Sequence, residues 1–173
     1  MSEPSPNLTA LAQEVADALR RSGRQLVLAE SCTAGLVAAS LGGVPGISQN
    51  LCGSAVVYQE RTKAKWIGVK EKTLRDSGAV SEETAKEMAT GVLWETPHAD
   101  LSTAITGHLG PDAPADLDGV VYVAVKERGE PPTVERHVLP APPGIAPAEI
   151  RSQRQAAAAA LVLDTVLAML AKS

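Results

Sequence analysis

Aromatic side chains are nearly missing from this chain of 173 residues: they make up 2% of it, and there is no Phe. A core must then be built from Ala, Val, Leu and Ile, within a hydrophobic fraction of 45% that is ordinary for a folded domain. Modules that read nucleic acid by stacking bases on aromatic rings are disfavoured for the same reason. Basic residues are also too few and too scattered to follow a phosphate backbone: 16 Lys and Arg stand against 20 Asp and Glu, for a net charge of −4. No nucleic-acid partner is expected. Two cysteines, Cys32 and Cys52, make no disulfide framework and read as reduced thiols of a cytoplasmic protein. With them, His98, His108 and His137 show no metal-ligand spacing. Neither a metal nor an organic cofactor is implied. Long apolar runs are absent too. The longest, in the C-terminal third, is Ala-rich and broken by Asp164, whereas a membrane span needs roughly 20 predominantly apolar residues. The opening MSEPSPNLTA has no basic region followed by an apolar one, so neither a signal peptide nor a membrane partner is expected. The length suits one domain, placed over 7–173 after a disordered lead-in at 1–6.

What is present alternates. Leu8, Leu11, Val15 and Leu19 recur at helical spacing up to Gly23. Residues 25–29 read as a buried strand, 33–41 as a helix ended by Gly42-Gly43, and "VPGISQN" as loop. A strand is expected over 53–58, a short helix over 60–67 and a helical piece in "KEKTLRDSG". Ser81 reads as the N-cap of a helix reaching about Glu95, with Glu82 and Glu83 in its first turn. Strands follow at 101–106, 119–126 and 133–139. "PAPPGIAP" reads as a linker to a last helix over about 148–171. This order implies an α/β fold: a three-layer α/β/α sandwich with a mixed, mostly parallel sheet and a final antiparallel hairpin. Five consecutive alanines, Ala156 to Ala160, imply close packing against the sheet or a second copy.

Three stretches carry candidate chemistry. "LAESCTAGLVAAS" places Glu30, Ser31, Cys32 and Thr33 where a strand hands over to a helix, at the carboxyl end of a strand where open α/β sheets bind ligands. A serine there needs a base before it is a useful nucleophile, and amides opening a helix can hold an oxyanion. "VVYQERTKAK" supplies Tyr58, Lys63 and Lys65. Taken singly, each lysine reads as a solvated charge and the tyrosine as core. A neutral lysine can nevertheless act as base if burial lowers its pKa. "ITGHLGPDAPADLDG" opens a strand into a Gly/Pro/Asp loop, which reads equally as a plain connection or as a backbone cradle for phosphate or ribose.

These segments, together with "VPGIS", "GAVSEETAKEMA" and "GVVYVAV", resemble in order and spacing the C-terminal domain family of CinA, the competence/damage-inducible protein. Members that stand alone are nicotinamide mononucleotide deamidases. The resemblance implies a small-molecule nucleotide substrate, whose carboxamide is hydrolysed to the acid and ammonia in pyridine nucleotide salvage. It places the nucleophile on Ser31 and its partners on Tyr58 and Lys63. A family arginine falls on Arg151, with Arg154 close by. Substrate contacts are expected from Glu30, Cys32, Thr33, Thr106, Gly107, Gly110 and Arg151, with Glu30 orienting a partner or binding ribose. A homodimer is expected. Two departures stand out. Ala34 replaces a family glycine and is expected inside the helix, and Ala113-Pro114 stand where the family loop is glycine-rich, which predicts weaker nucleotide binding. The alternative is a catalytically weak nucleotide-binding or regulatory domain linked to competence or DNA damage.

Overall fold

A computed structural model describes residues 7–141 and 144–172. The lead-in expected at 1–6 and part of the linker before the last helix therefore lie outside the described residues. Helix α1 (Leu8–Ser22) is capped by the Asn7 side chain and closed by Gly23 in the left-handed conformation. Strand β1 (Leu26–Glu30) follows, then α2 (Leu36–Gly42), a short 3-10 turn at Ile47–Gln49 and β2 (Leu51–Val56). Three helices come next, α3 (Glu60–Ile67), α4 (Glu71–Asp76) and α5 (Glu82–Trp94). Strands β3 (Leu101–Gly107), β4 (Val120–Glu127) and β5 (Thr133–Val138) lead into α6 (Pro147–Leu170).

The five strands form one sheet in the order β2-β1-β3-β4-β5. β1 runs parallel to both β2 and β3, β4 is antiparallel to β3, and β5 is antiparallel to β4. Four of the strands thus share one direction and β4 alone opposes them, so the mixed, mostly parallel sandwich is observed. Two apolar cores flank the sheet. Leu26 and Leu28 of β1 meet α1, α2 and α6, while Val27 and Ala29 meet α3 and α5. That split follows from the alternation of side chains along a strand. The close packing implied by the alanine run is realised inside the protomer, where Ala158 and Ala159 are fully buried in the core shared with α1.

Two features place the site. The chain leaves β1 towards β2 on one side and returns through α3, α4 and α5 to β3 on the other. The carboxyl ends of β1 and β3 therefore flank a topological switch point, where such sheets open a crevice. Helix α3 is set tightly beneath it: a Cβ on Gly91 of α5 would lie 1.7 Å from the Ile67 carbonyl oxygen, so only glycine allows this approach. No described helix is long and apolar enough to cross a membrane.

Candidate active site

The end of β1 sends neighbouring residues to opposite faces. Glu30, 1% exposed, turns to the α2 side. Its Oε2 accepts from Thr33 Oγ1 (2.8 Å), the Gly35 amide (3.0 Å) and the Val37 amide (3.1 Å), and its Oε1 from the Ala38 amide and Ser54 Oγ (3.0 Å each). The carboxylate thus occupies the positive end of α2. This corrects two expectations. Expected among the substrate contacts, Glu30 is a structural cap: of the two roles read for it, orienting a partner or binding ribose, its five accepted hydrogen bonds serve the first, ordering the turn that follows Ser31. The amides that open α2 are spent on it and are not free for an oxyanion. A third correction concerns Ala34. It lies outside the helix, at φ +53, in a turn where Gly35 follows at φ +96, and α2 starts only at Leu36. Alanine therefore stands where the backbone favours glycine.

Ser31 turns to the other face, as the alternation along β1 requires. Its amide is tied to the Ile105 carbonyl (3.1 Å), which anchors it to β3. On the α3 side, Lys63 Nζ lies 2.7 Å from Ser31 Oγ, 2.7 Å from the Val57 carbonyl oxygen and 3.4 Å from that of Tyr58. Lys63 is 1% exposed and forms no ion pair among the described residues. Burial brings its pKa down from 10.5 to about 8, against weaker upward pulls from Cys32 and Glu60. Three oxygens match the three protons of an ammonium. The neutral amine keeps two donors for the two carbonyls and turns its lone pair to the Ser31 hydroxyl. Lys65, on the same helix, is exposed.

Cys32, expected at the substrate, is a packing neighbour: it is 4% exposed, and burial pushes its thiol up to about 12. The charges of Lys63 and Arg151 pull that thiol down, more weakly than burial raises it. The Thr33 hydroxyl is spent on Glu30. Its amide has no protein acceptor among the described residues, unlike those of Ser31, Ala34, Gly35, Leu36, Val37 and Ala38, while the Cys32 amide interacts with its own thiol. From α6, Gln155 Nε2 donates to the carbonyl oxygens of Thr33 (3.2 Å) and Cys32 (3.4 Å) and so grips the far side of these peptides.

Tyr58 lies two residues beyond β2 and is 52% exposed, not core. Its hydroxyl accepts from Arg151 Nη2 (2.6 Å), whereas its contact with Lys63 runs through the backbone carbonyl. Arg151 Nη1 donates to the Gly110 carbonyl oxygen (2.6 Å). Arg154, the competing arginine, is 4% exposed and forks onto Asp118 (2.7 and 2.9 Å). The structure therefore puts Arg151 at the site and Arg154 behind it. Thr106 and Gly107 are corrected as substrate contacts. The Thr106 hydroxyl, 1% exposed, donates to the Ala79 carbonyl (2.7 Å). At Gly107 a Cβ would lie 2.5 Å from Val121, so the glycine serves the pairing of β3 with β4. In the altered loop, Asp112 takes a positive φ of 64, while Ala113 and Pro114 do not.

Sequence reasoning missed Gln155 and Asp118. Gln155 sits four residues after Arg151, hence on the same helix face, and that spacing was the available signal. Asp118 gave none within an acidic loop. Among the described residues there is no cluster of three or more His, Cys, Asp or Glu fit to hold a metal.

A buried lysine bonded to a serine, at the carboxyl end of a parallel strand in a three-layer sandwich, defines the class. The CinA C-terminal domain family matches residues 8–166, and the chain belongs to that family. A CinA-like protein of Myxococcus xanthus is 43% identical over 129 residues, covering 73% of this chain and 30% of that protein. A putative competence-damage inducible protein of Clostridium kluyveri is 46% identical over 62% of this chain and 27% of its own length. The chain thus aligns with less than a third of these longer relatives. Among solved structures, a CinA superfamily protein from Klebsiella pneumoniae superposes with a TM-score of 0.87 at 29% identity, over 97% of this chain and all of that one. A competence/damage-inducible protein from Agrobacterium tumefaciens gives 0.84 at 30% identity, over 98% and 99%.

Proposed function

We propose that this protein is an amidohydrolase that converts the carboxamide of nicotinamide mononucleotide to the carboxylate, releasing ammonia, with Ser31 as nucleophile and Lys63 as base. The observation that carries the reading is the 2.7 Å contact between Ser31 Oγ and a buried Lys63 that has no carboxylate partner among the described residues. A lysine of pKa about 8 is neutral in roughly one molecule in ten at pH 7, against fewer than one in a thousand for a free lysine. That brings it into the range of a working general base.

Neutral Lys63 takes the Ser31 proton as Oγ attacks the amide carbon. The oxyanion of the tetrahedral intermediate is met by the unspent amide of Thr33, whose peptide Gln155 holds from behind through the Cys32 carbonyl. The Lys63 ammonium then protonates the departing nitrogen, ammonia leaves and an ester on Ser31 remains. Lys63, neutral again, deprotonates a water that attacks this ester, which frees the carboxylate and restores the Ser31 hydroxyl. Arg151 presents guanidinium charge beside Tyr58 at the mouth of the site and suits the substrate phosphate. Tyr58, bonded to Arg151 and exposed, serves the site by holding that arginine.

The test is ammonia release from nicotinamide mononucleotide by the purified protein. Activity that disappears in Ser31→Ala supports the reading. No release, or release that survives Ser31→Ala unchanged, defeats it.

A further inference from the structure

The loop between β3 and β4 is tied to α6 at both ends by one side chain. Arg154 Nη1 and Nη2 fork onto Asp118 Oδ1 and Oδ2, and Nη1 also donates to the Leu109 carbonyl oxygen (3.3 Å). Its Nε donates to the Pro140 carbonyl oxygen at 3.4 Å. The guanidinium is thus anchored to both ends of the loop and to the segment after β5. Two glycines make room for it. A Cβ on Gly110, at φ +67, would lie 3.0 Å from Arg154 Nη1, and one on Gly119, at φ +73, would lie 3.0 Å from Nη2 and 2.3 Å from the Leu139 carbonyl oxygen. Arg154 is almost fully buried, while Asp118 keeps a solvent-facing edge.

The next atoms lead into the site. Leu109, whose carbonyl Arg154 holds, precedes Gly110, whose own carbonyl accepts from Arg151, and Arg151 reaches on to the Tyr58 hydroxyl. A long arginine at the rim would otherwise sample many rotamers, and ordering such a side chain costs up to about 2 kcal/mol. We propose that Arg154 and Asp118 are positioning residues: their ion pair fixes the 108–119 loop so that the Gly110 carbonyl holds Arg151 in place to receive an anionic substrate group. Neither residue of the pair needs to touch the substrate. The inference rests on the functional reading for its kinetic consequence but not for its structural one.

The test uses Asp118→Asn, a substitution at a partly exposed position that keeps shape and breaks the fork, because the amide nitrogen faces a guanidinium nitrogen. Asp118→Glu keeps the carboxylate and serves as the rescue. Two measurements are made on the full chain. The first is the rate at which phenylglyoxal modifies Arg151, read by mass spectrometry at that residue. It should rise at least about threefold in Asp118→Asn and stay near wild type in Asp118→Glu. The second is amidase kinetics with nicotinamide mononucleotide. KM should rise about tenfold in Asp118→Asn, the scale of one weakened charge-assisted hydrogen bond. kcat should stay within about twofold and the apparent pKa of the rate should not move, because Ser31 and Lys63 are untouched. Unchanged Arg151 reactivity in Asp118→Asn overturns the proposal. So does a fall in kcat with KM unchanged. If no variant, wild type included, releases ammonia while Arg151 becomes more reactive, the functional reading fails and the positioning role stands.

Discussion

Replacing Lys63 by Met should reveal what the buried amine costs the fold. Lys63 is 1% exposed and its pKa falls from 10.5 to about 8 because burial disfavours the charged form. The folded state therefore binds the proton more weakly than the unfolded chain. Below about pH 8 both states carry it, and the fold bears the full penalty: about 2.5 units at 1.36 kcal/mol each, or ~3 kcal/mol. Between about 8 and 10.5 the unfolded chain binds more protons than the native one, so stability rises with pH. Above 10.5 both are neutral and the penalty is gone. Methionine has no such titration. It does leave the Val57 carbonyl without its 2.7 Å donor, a cost of about 1–3 kcal/mol that does not depend on pH. The stability of Lys63→Met minus that of wild type, from urea titrations at a series of pH values, should thus fall by ~3 kcal/mol between pH 7.5 and 10.5. Groups that titrate equally in both proteins cancel in the difference. The wild-type rate should rise through one ionisation near the same pH of about 8, since the same proton is read. A stability difference that is flat across this range refutes a lowered Lys63 pKa and removes the base from the mechanism.

Outcomes for six further variants are expected. Lys63→Arg should lose turnover, because arginine stays protonated and cannot accept the Ser31 proton, whereas Lys65→Ala should be nearly silent in the same ammonia assay. Ser31→Ala should abolish turnover, while Cys32→Ala keeps most of it, since that thiol is buried and held up to about 12; the reverse pattern would exchange the two roles. Ala34→Gly should raise thermal stability by up to about 1 kcal/mol, the strain of a left-handed alanine less the entropy gained by the unfolded chain; a loss of stability would show that the turn is unstrained. Glu30→Gln should cost at least about 2 kcal/mol in urea, because an amide cannot accept the five hydrogen bonds that the carboxylate takes, and its NH2 would face a backbone donor.

Much of the architecture was legible because punctuation and periodicity agreed. α3 was read at its observed limits, between the Gln59 cap and Gly68 in the left-handed conformation, and Ser81 caps α5 as read. The errors fall where a local pattern is ambiguous. "LCGSAVVY" has no clean alternation to fix its ends, so the expected strand at 53–58 lies two residues late and Tyr58 falls beyond β2. The start of α2 was read too early because "TAGLVAAS" suits a helix by propensity, while the buried Glu30 carboxylate, which no periodicity reveals, draws the first turn into another course. In the site, Ser31 and Lys63 are 32 residues apart and met only through family resemblance. Glu30, Thr106 and Gly107 are expected as ligands through the family resemblance of "LAESCTAG" and "TGHLGPD". Their actual duties, a cap, an inter-element hydrogen bond and a close strand approach, depend on three-dimensional neighbours.

The pleat of β1 also explains how an acid and a base can be adjacent to the same serine without neutralising each other. Glu30 and Ser31 are consecutive, yet the strand sends the carboxylate towards α2 and the hydroxyl towards α3. Were the register of β1 slipped by one residue, the carboxylate would face the Lys63 pocket. An opposite charge there would favour the ammonium and raise its pKa, leaving a stable ion pair and no base at neutral pH. The carboxylate that does raise it in the observed arrangement is Glu60, the Cys32 thiol being neutral at this pH, and it fails to offset burial. Glu30 meanwhile returns stability to the structure by satisfying amides at the start of α2, the element that follows the Ser31 turn. The same few residues thus hold Ser31 in place with a carboxylate on one face of the sheet and keep the Lys63 amine poorly solvated on the other. A lysine that lowers stability at neutral pH is what such an arrangement must contain if it is to take a proton from serine.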